Sequence, residues 1–166
     1  MTQDIGDQVR ELTKSRAYTE ALSLCNEELA KALESERPSI LRMRAYVHGC
    51  MKNHNAEVAD LSEALASVPD DSRFLFDRAR AYMEVHRFAE AMTDLEKLLD
   101  QELRNGSEWY LGTARLLQAV CLVHQRRAEE ALRLCGQLPP GTKGWVLGKL
   151  QTREALEHEA RAMSKR

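Results

Sequence analysis

The sequence is poor in the residues from which most cofactor sites and catalytic sites are built. Its 166 residues include only 3 Phe, 4 Tyr and 2 Trp, which leaves few aromatic side chains for a cofactor pocket. It also lacks a glycine-rich phosphate loop and a G-x-S-x-G nucleophile elbow. We therefore expect no catalytic residues, no enzymatic activity and no cofactor.

Long apolar runs are absent as well. The longest nearly apolar stretch, Leu116 to Val123, is far shorter than the roughly 20 residues that a membrane-spanning helix needs. The first twenty residues carry acids, bases and amides throughout, which is not the pattern of a secretory signal. We expect neither a membrane partner nor export by that route.

The cysteines and histidines do not form a metal-binding motif. Four cysteines lie far apart without a CxxC pair: Cys25, Cys50, Cys121 and Cys135. We interpret them as buried free thiols in a reducing compartment, and hence expect a cytoplasmic location, although such spacing alone leaves disulfides open. Cys121 and His124 come nearest to a metal pair, and two ligands do not complete a zinc site. We expect no bound metal.

The formal net charge of −2 is unevenly distributed. Acids outnumber bases up to residue 105, and bases outnumber acids from residue 106 onwards. No Lys/Arg run is interleaved with aromatic residues, so the sequence has no clear nucleic-acid footprint. We expect no nucleic-acid partner.

The strongest signal in the sequence is an internal repeat. When the chain is shifted by 34 residues, the stretch after Ser39 falls on the stretch after Arg73. Identical residues then coincide at Leu41/Leu75, Arg44/Arg78, Ala45/Ala79, Asp60/Asp94, Leu61/Leu95 and Leu65/Leu99. A period of 34 is that of the tetratricopeptide repeat, in which each unit is a helix, a tight turn and a second helix.

The third unit resembles the tetratricopeptide-repeat family most closely. Ala79 stands where the first helix of a unit approaches its partner helix, and Tyr82 fills the core one turn later. Phe88 follows the turn, and Ala91 and Leu95 pack the second helix. The resemblance implies an all-α fold.

The second unit departs from the family pattern at two positions. His48 replaces the usual Tyr, and Glu57 stands where a small Ala is expected. Together with His54 these residues could gather near one helical turn. We interpret them as packing and turn residues, because the repeat already requires such residues there.

The resemblance covers most of the chain and implies one domain over residues 1–166, a right-handed superhelix of about four helix hairpins. Asn105-Gly106 is the predicted turn before the last hairpin. A C-terminal capping helix is predicted from Trp145 to Met163, and no strand pattern is found. The predicted units are approximately residues 4–37, 38–71, 72–105 and 107–138, with the capping helix at 145–163.

The resemblance also implies a concave groove lined by the first helix of each unit, at its second, fifth, ninth and twelfth positions. The predicted partner-binding residues are Arg42, Tyr46, Arg73, Phe76, Arg80 and Met83. Planar cations beside aromatic side chains are typical of interface hot spots, which favours a partner segment with acidic and apolar residues. In the alternative interpretation the arginines are merely solvated and Phe76 packs on a neighbouring helix.

Some family members clamp the C-terminal carboxylate of chaperones with Lys and Asn residues. The clamp positions fall here on Gly6, Arg10, Met43, Arg73 and Asp77. Only Arg73 retains the needed charge, so we do not expect a chaperone-tail clamp.

These observations predict a protein-binding module of the adaptor, chaperone or bacterial toxin-neutralising immunity type. A fold of this kind serves many tasks, and the sequence does not choose among them. The alternative is a structural subunit that assembles through its convex face or terminal helix. An exposed apolar stripe on the last helix would favour that alternative, whereas a polar outer face would favour the module.

Overall fold

The computed structural model describes residues 2–164, with side chains from residue 5 onwards. Met1, Lys165 and Arg166, the ends of the predicted domain, lie outside this range. The chain is 74% helical, and the described part contains 9 helices and one small antiparallel sheet. The helices are α1 Thr2–Lys14, α2 Tyr18–Lys31, α3 Arg37–Cys50, α4 His54–Ser67, α5 Ser72–Glu84, α6 Phe88–Asn105, α7 Leu111–His124, α8 Ala128–Gln137 and α9 Arg153–Met163, and the strands are β1 Lys143–Val146 and β2 Lys149–Thr152. The predicted all-α class is confirmed for all but this hairpin.

The same turn joins the two helices of each of the four hairpins. Its central residue has a left-handed backbone, with φ between 58° and 63°, and is never glycine. The N–H of this residue bonds to the carbonyl three residues back, and the next N–H bonds to the carbonyl five residues back. This pattern is the Schellman helix end. The four left-handed residues are Arg16, Lys52, His86 and Arg126.

The helix predicted from Trp145 begins instead at Arg153, so that prediction and the absence of strands were wrong. Residues 143–152 form a β-hairpin whose turn is Leu147-Gly148, with φ of 54° and 68°. Two positive φ angles match the tight turns of two-residue hairpins, and glycines disfavour a continuous helix. The Thr152 side chain then caps α9 by accepting a hydrogen bond from the Ala155 N–H at 3.1 Å.

The chain divides into two compact units, Met1–Ala81 and Tyr82–Arg166, with the division inside α5. In the first unit, α3 packs against α1, α2 and α4. The small side chains of Ala45 and Ala64 are buried there, as the repeat pattern predicts for closely packed helices. The prediction of one domain stays a prediction.

In the second unit, α7 is the central helix and packs against α6, α8, α9 and β1. Its burial on several sides explains its run of apolar residues, of which Leu116 and Leu117 are fully buried. Before α7, Gly106 ends α6 with φ of 63°, which confirms the turn predicted at Asn105-Gly106. Within residues 2–164, each helix is too short or too polar to cross a bilayer.

Candidate functional site

The first unit contains an open cleft of about 540 Å³. It lies among α1, α3, α4 and the part of α5 that precedes Tyr82. Its floor is apolar, because Val9, Leu61 and Phe74 line it with almost fully buried side chains. Tyr46 of α3 also lines the cleft, yet it is 49% exposed. The cleft thus offers an aromatic side chain above an apolar floor.

Four arginines line the cleft, against two carboxylates. Arg42 of α3 donates from Nε to Asp77 Oδ2 of α5 at 2.6 Å, which ties the two helices together. The Arg42 guanidinium also lies over the Phe74 ring, 6.0 Å from its centroid. A cation at that distance is attracted by the ring face. Arg42 is therefore held in place at the cleft wall.

Arg73 approaches the same ring from the beginning of α5, with its guanidinium 5.8 Å from the Phe74 centroid. Its Nη2 lies 2.7 Å from Asp71 Oδ2, and its backbone N–H donates to Asp71 Oδ1. Burial raises the pKa of Asp71, but the hydrogen bonds from Arg73 outweigh it and hold that pKa below its usual value. The Arg73 charge is thus partly compensated.

The remaining two arginines differ in their partners. Arg10 of α1 forms an ion pair with Asp7. Arg80 is exposed and, among the residues that the structure describes, forms no hydrogen bond or ion pair. Its positive charge acts to lower the pKa of the nearby Glu57 carboxyl. Arg80 is therefore the cleft arginine whose donors are most available to a partner.

Glu57, which replaces the usual small residue, brings a half-buried carboxylate to the cleft. Its Oε2 lies 2.8 Å from His54 Nδ1. Burial raises the pKa of Glu57, while the hydrogen bond from His54 opposes that shift. Space for the carboxylate comes from Gly49, where any Cβ would lie 2.9 Å from Glu57 Oε1. The sequence suggested that His48, His54 and Glu57 lie together near one helical turn. His54 and Glu57 do lie together, whereas His48 faces Asp60.

Tyr46 lies in a basic surrounding at the edge of the cleft. Partial burial and the neighbouring Cys50 thiol raise the pKa of its phenol, and the charges of Lys14 and Arg10 oppose that shift. The phenol therefore keeps its proton at neutral pH and can donate a hydrogen bond. Cys50 is exposed, which corrects the prediction of four buried thiols; Cys25, Cys121 and Cys135 are buried.

Four of the six predicted groove residues line this cleft: Arg42, Tyr46, Arg73 and Arg80. Phe76 is half-buried and lies outside the lining. Met83 is 0% exposed, so it offers no surface to a partner, and we leave it out of the site. The sequence reasoning missed Phe74. This residue lies three positions before Asp77, one of the clamp positions, and therefore on the same face of α5, which could have indicated it.

The five clamp positions, Gly6, Arg10, Met43, Arg73 and Asp77, all line the cleft. Asp77 is bonded to Arg42, and Arg73 is bonded to Asp71. The carboxylate of Asp77 and the apolar side chain of Met43 do not suit a ligand carboxylate.

In the part of the chain with described side chains, no three His, Cys, Asp or Glu residues are placed to hold a metal ion. Cys121 is fully buried, and burial raises the pKa of its thiol to about 12. His124 stacks on Phe88 with 4.5 Å between ring centroids. Both residues of the considered pair thus serve packing.

Comparison with known proteins gives a likeness of fold. No family model matches the chain, and no curated protein sequence is significantly similar. A solved structure from Podosopora anserina, described as containing nearly identical TPR-like repeats, is 18% identical and covers 81% of this chain and 72% of its own, with a TM-score of 0.70. A tetratricopeptide repeat protein from Parabacteroides merdae is 18% identical over 81% of this chain and 50% of its own, with a TM-score of 0.67. The predicted tetratricopeptide-type fold is confirmed.

Proposed function

We propose that this chain, whose fold is of the tetratricopeptide-repeat type, is a protein-binding module that holds a partner segment in the cleft of its first unit. The carrying observation is Tyr46, a half-exposed aromatic side chain in a cleft that also contains Arg80 and has an apolar floor. Exposed aromatics next to arginine donors are typical of interface hot spots. A repeat fold of this kind offers such surfaces to protein partners.

The chemistry of the cleft favours a segment with an acidic side chain close to an apolar one. Arg80 has free donors for the acidic group, because its neighbour Glu57 is bonded to His54. The apolar group would pack on Tyr46, which is half-exposed, and on Met43, which is partly exposed. Arg42 and Arg73 stiffen this surface through their ion pairs, which lowers the entropy lost on binding.

The polar outer face of α9 favours a module over an assembly subunit. Leu156 and Ala160 are buried on its inner side. Its exposed positions include Glu154, His158 and Arg161, which leave no apolar stripe on this helix. Adaptor, chaperone and toxin-neutralising roles are all consistent with such a module, and the identity of the partner distinguishes among them.

Photo-cross-linking tests this proposal. A benzophenone amino acid in place of Tyr46 should link to one partner in the native lysate, and mass spectrometry should identify the linked segment. The same group in place of Glu96, an exposed residue of α6 outside the cleft, is the matched control. Identical products from both positions, or none from Tyr46, would contradict cleft binding.

A further inference from the structure

The β-hairpin before α9 presents two large apolar side chains on its outer face. Trp145 and Leu150 are directly opposite each other across the strands, and they are 65% and 52% exposed. Lys143, two residues before Trp145, shares this face and is also exposed. The outer face is therefore a compact apolar pair with a lysine beside it.

The hairpin is fixed so that this face stays outward. Val146 and Gln151 on the inner face are buried. Gly144 packs so closely on α7 that a Cβ there would lie 3.2 Å from Leu116 Cδ2. At the turn, the Leu147 N–H donates to Glu84 Oε1 at 3.0 Å. These contacts anchor the hairpin from behind and leave the Trp145–Leu150 pair exposed.

The hairpin segment itself carries charge of one sign. From Leu138 to Thr152 the sequence contains Lys143 and Lys149 and no Asp or Glu. Two carboxylates bind the backbone of this segment: Glu84 accepts from the Leu147 N–H, and Glu154 accepts from the Gly141 N–H at 2.9 Å. An anionic surface with an apolar layer beneath it would complement this face.

We propose that the outer face of the hairpin docks on the surface of an anionic lipid bilayer. Tryptophan is favoured at the interface between headgroups and acyl chains, and lysines near it are attracted by acidic lipids. Tryptophan is also enriched in protein–protein interfaces, but lysine is depleted there, so the two lysines are what favour a lipid surface over a protein partner. The sequence predicted no membrane partner because no apolar run is long; the pair becomes visible only when the strands bring residues 145 and 150 together.

Vesicle binding of the full chain tests this inference. The probes are vesicles of phosphatidylcholine alone and of phosphatidylcholine mixed with phosphatidylserine. Because the chain has only 2 Trp, Trp109→Phe leaves Trp145 as the sole reporter. We expect its emission to shift to the blue with the mixed vesicles only. Trp145→Ala with Leu150→Ala, or Lys143→Glu with Lys149→Glu, should weaken cosedimentation by at least about tenfold.

Two matched controls separate this inference from unspecific adhesion. Trp109→Ala removes a tryptophan that is 84% exposed beside Glu108, and Arg80→Ala alters the cleft; both variants should bind the mixed vesicles like the wild type. Circular dichroism should show that all variants remain folded. Absence of vesicle binding, equal binding of the Trp145/Leu150 variant, or binding to a single-stranded oligonucleotide but not to vesicles would overturn the proposal.

Discussion

The guanidinium of Arg44 in α3 holds the carboxylate of Asp60 in α4 through two hydrogen bonds, Nη2 to Oδ1 at 2.6 Å and Nε to Oδ2 at 3.0 Å. Asp60 is only 5% exposed. Two of the six identities in the 34-residue repeat, Arg44/Arg78 and Asp60/Asp94, are the positions of this pair. The ion pair thus joins the two helices of one hairpin at a place that the sequence repeats.

Loss of Asp60 should leave the Arg44 charge half-buried without its carboxylate. We expect Asp60→Ala to lower the free energy of unfolding by about 2 to 4 kcal/mol. The matched control is Asp100→Ala, which removes the exposed pair between Asp100 and Arg104 and should change it by less than about 1 kcal/mol. Urea unfolding followed by circular dichroism measures both. Equal effects would contradict a structural role for the Arg44–Asp60 pair.

His48 should make the stability depend on pH. Burial lowers the pKa of His48, and its Nδ1 is buried without a hydrogen-bond partner among the described residues. Protonation would therefore place a donor where no acceptor is available. Because the pKa is lower in the folded state, this contribution to stability is present above the unfolded pKa of about 6.5 and is lost as pH falls through the folded pKa.

His48→Tyr replaces this group with the residue found at the equivalent position of the third unit, Tyr82, which is buried. Tyrosine does not titrate between about pH 5 and 8, so the melting temperature of the variant should fall less than that of the wild type on acidification. His158→Tyr, at an exposed position of α9, serves as the control and should leave the pH dependence unchanged. A parallel decline for all three proteins would rule out the proposed role of His48.

The four left-handed turn residues offer a way to stabilise the chain. Lys52 has φ of 59° and His86 has φ of 58°. In this left-handed conformation the Cβ of a side chain crowds the backbone and destabilises the fold, whereas glycine has no Cβ. We expect Lys52→Gly and His86→Gly each to raise the free energy of unfolding by about 0.5 to 1 kcal/mol. Glu96→Gly, inside α6, should lower it by about 1 kcal/mol. Denaturant unfolding measures all three variants. If all three substitutions changed the free energy of unfolding in the same direction, the turn geometry would not be as described.

Small side chains that are fully buried should not tolerate enlargement. Ala79 and Ala91 are fully buried, so Ala79→Leu and Ala91→Leu should each cost about 1 to 3 kcal/mol by overpacking. Ala66→Leu, at an exposed position of α4, and Arg126→Ala, in an exposed turn, should cost less than about 0.5 kcal/mol. Equal losses at the four positions, measured by thermal unfolding, would mean that the repeat register is wrong.

The helices were predictable because the 34-residue period and the 3.6-residue apolar pattern agree over most of the chain. The hairpin was not, since its strands are only four residues long and its turn, Leu147-Gly148, lacks the usual Asn-Gly or Asp-Gly signal. Alternation over four residues is also compatible with one turn of an amphipathic helix, so the pattern alone favoured extending α9 backwards.

The candidate site was partly predictable, because repeat register fixes which face of α3 and α5 a residue occupies. Register does not reveal burial, and Met83 is too buried to belong to the site. It also does not reveal that Phe74, next to the groove position of Arg73, lines the cleft. The unusual Glu57 had a detectable signal: the second unit has Gly49 and Glu57 where the third has Met83 and Ala91. A small residue and a large one have exchanged places between the two units, which places a carboxylate at the cleft.

The most direct measurement of the central claim is a calorimetric titration of the cross-linked partner segment with the wild type and with two cleft variants. Arg80→Ala and Tyr46→Ala should each weaken the binding free energy by about 1 to 3 kcal/mol, because they remove the available donors and the exposed aromatic side chain. Arg133→Ala and Lys149→Ala, outside the cleft, should bind the segment almost as the wild type does, and all variants should melt near the wild-type temperature. Unchanged affinity of both cleft variants, with folding intact, would contradict cleft binding.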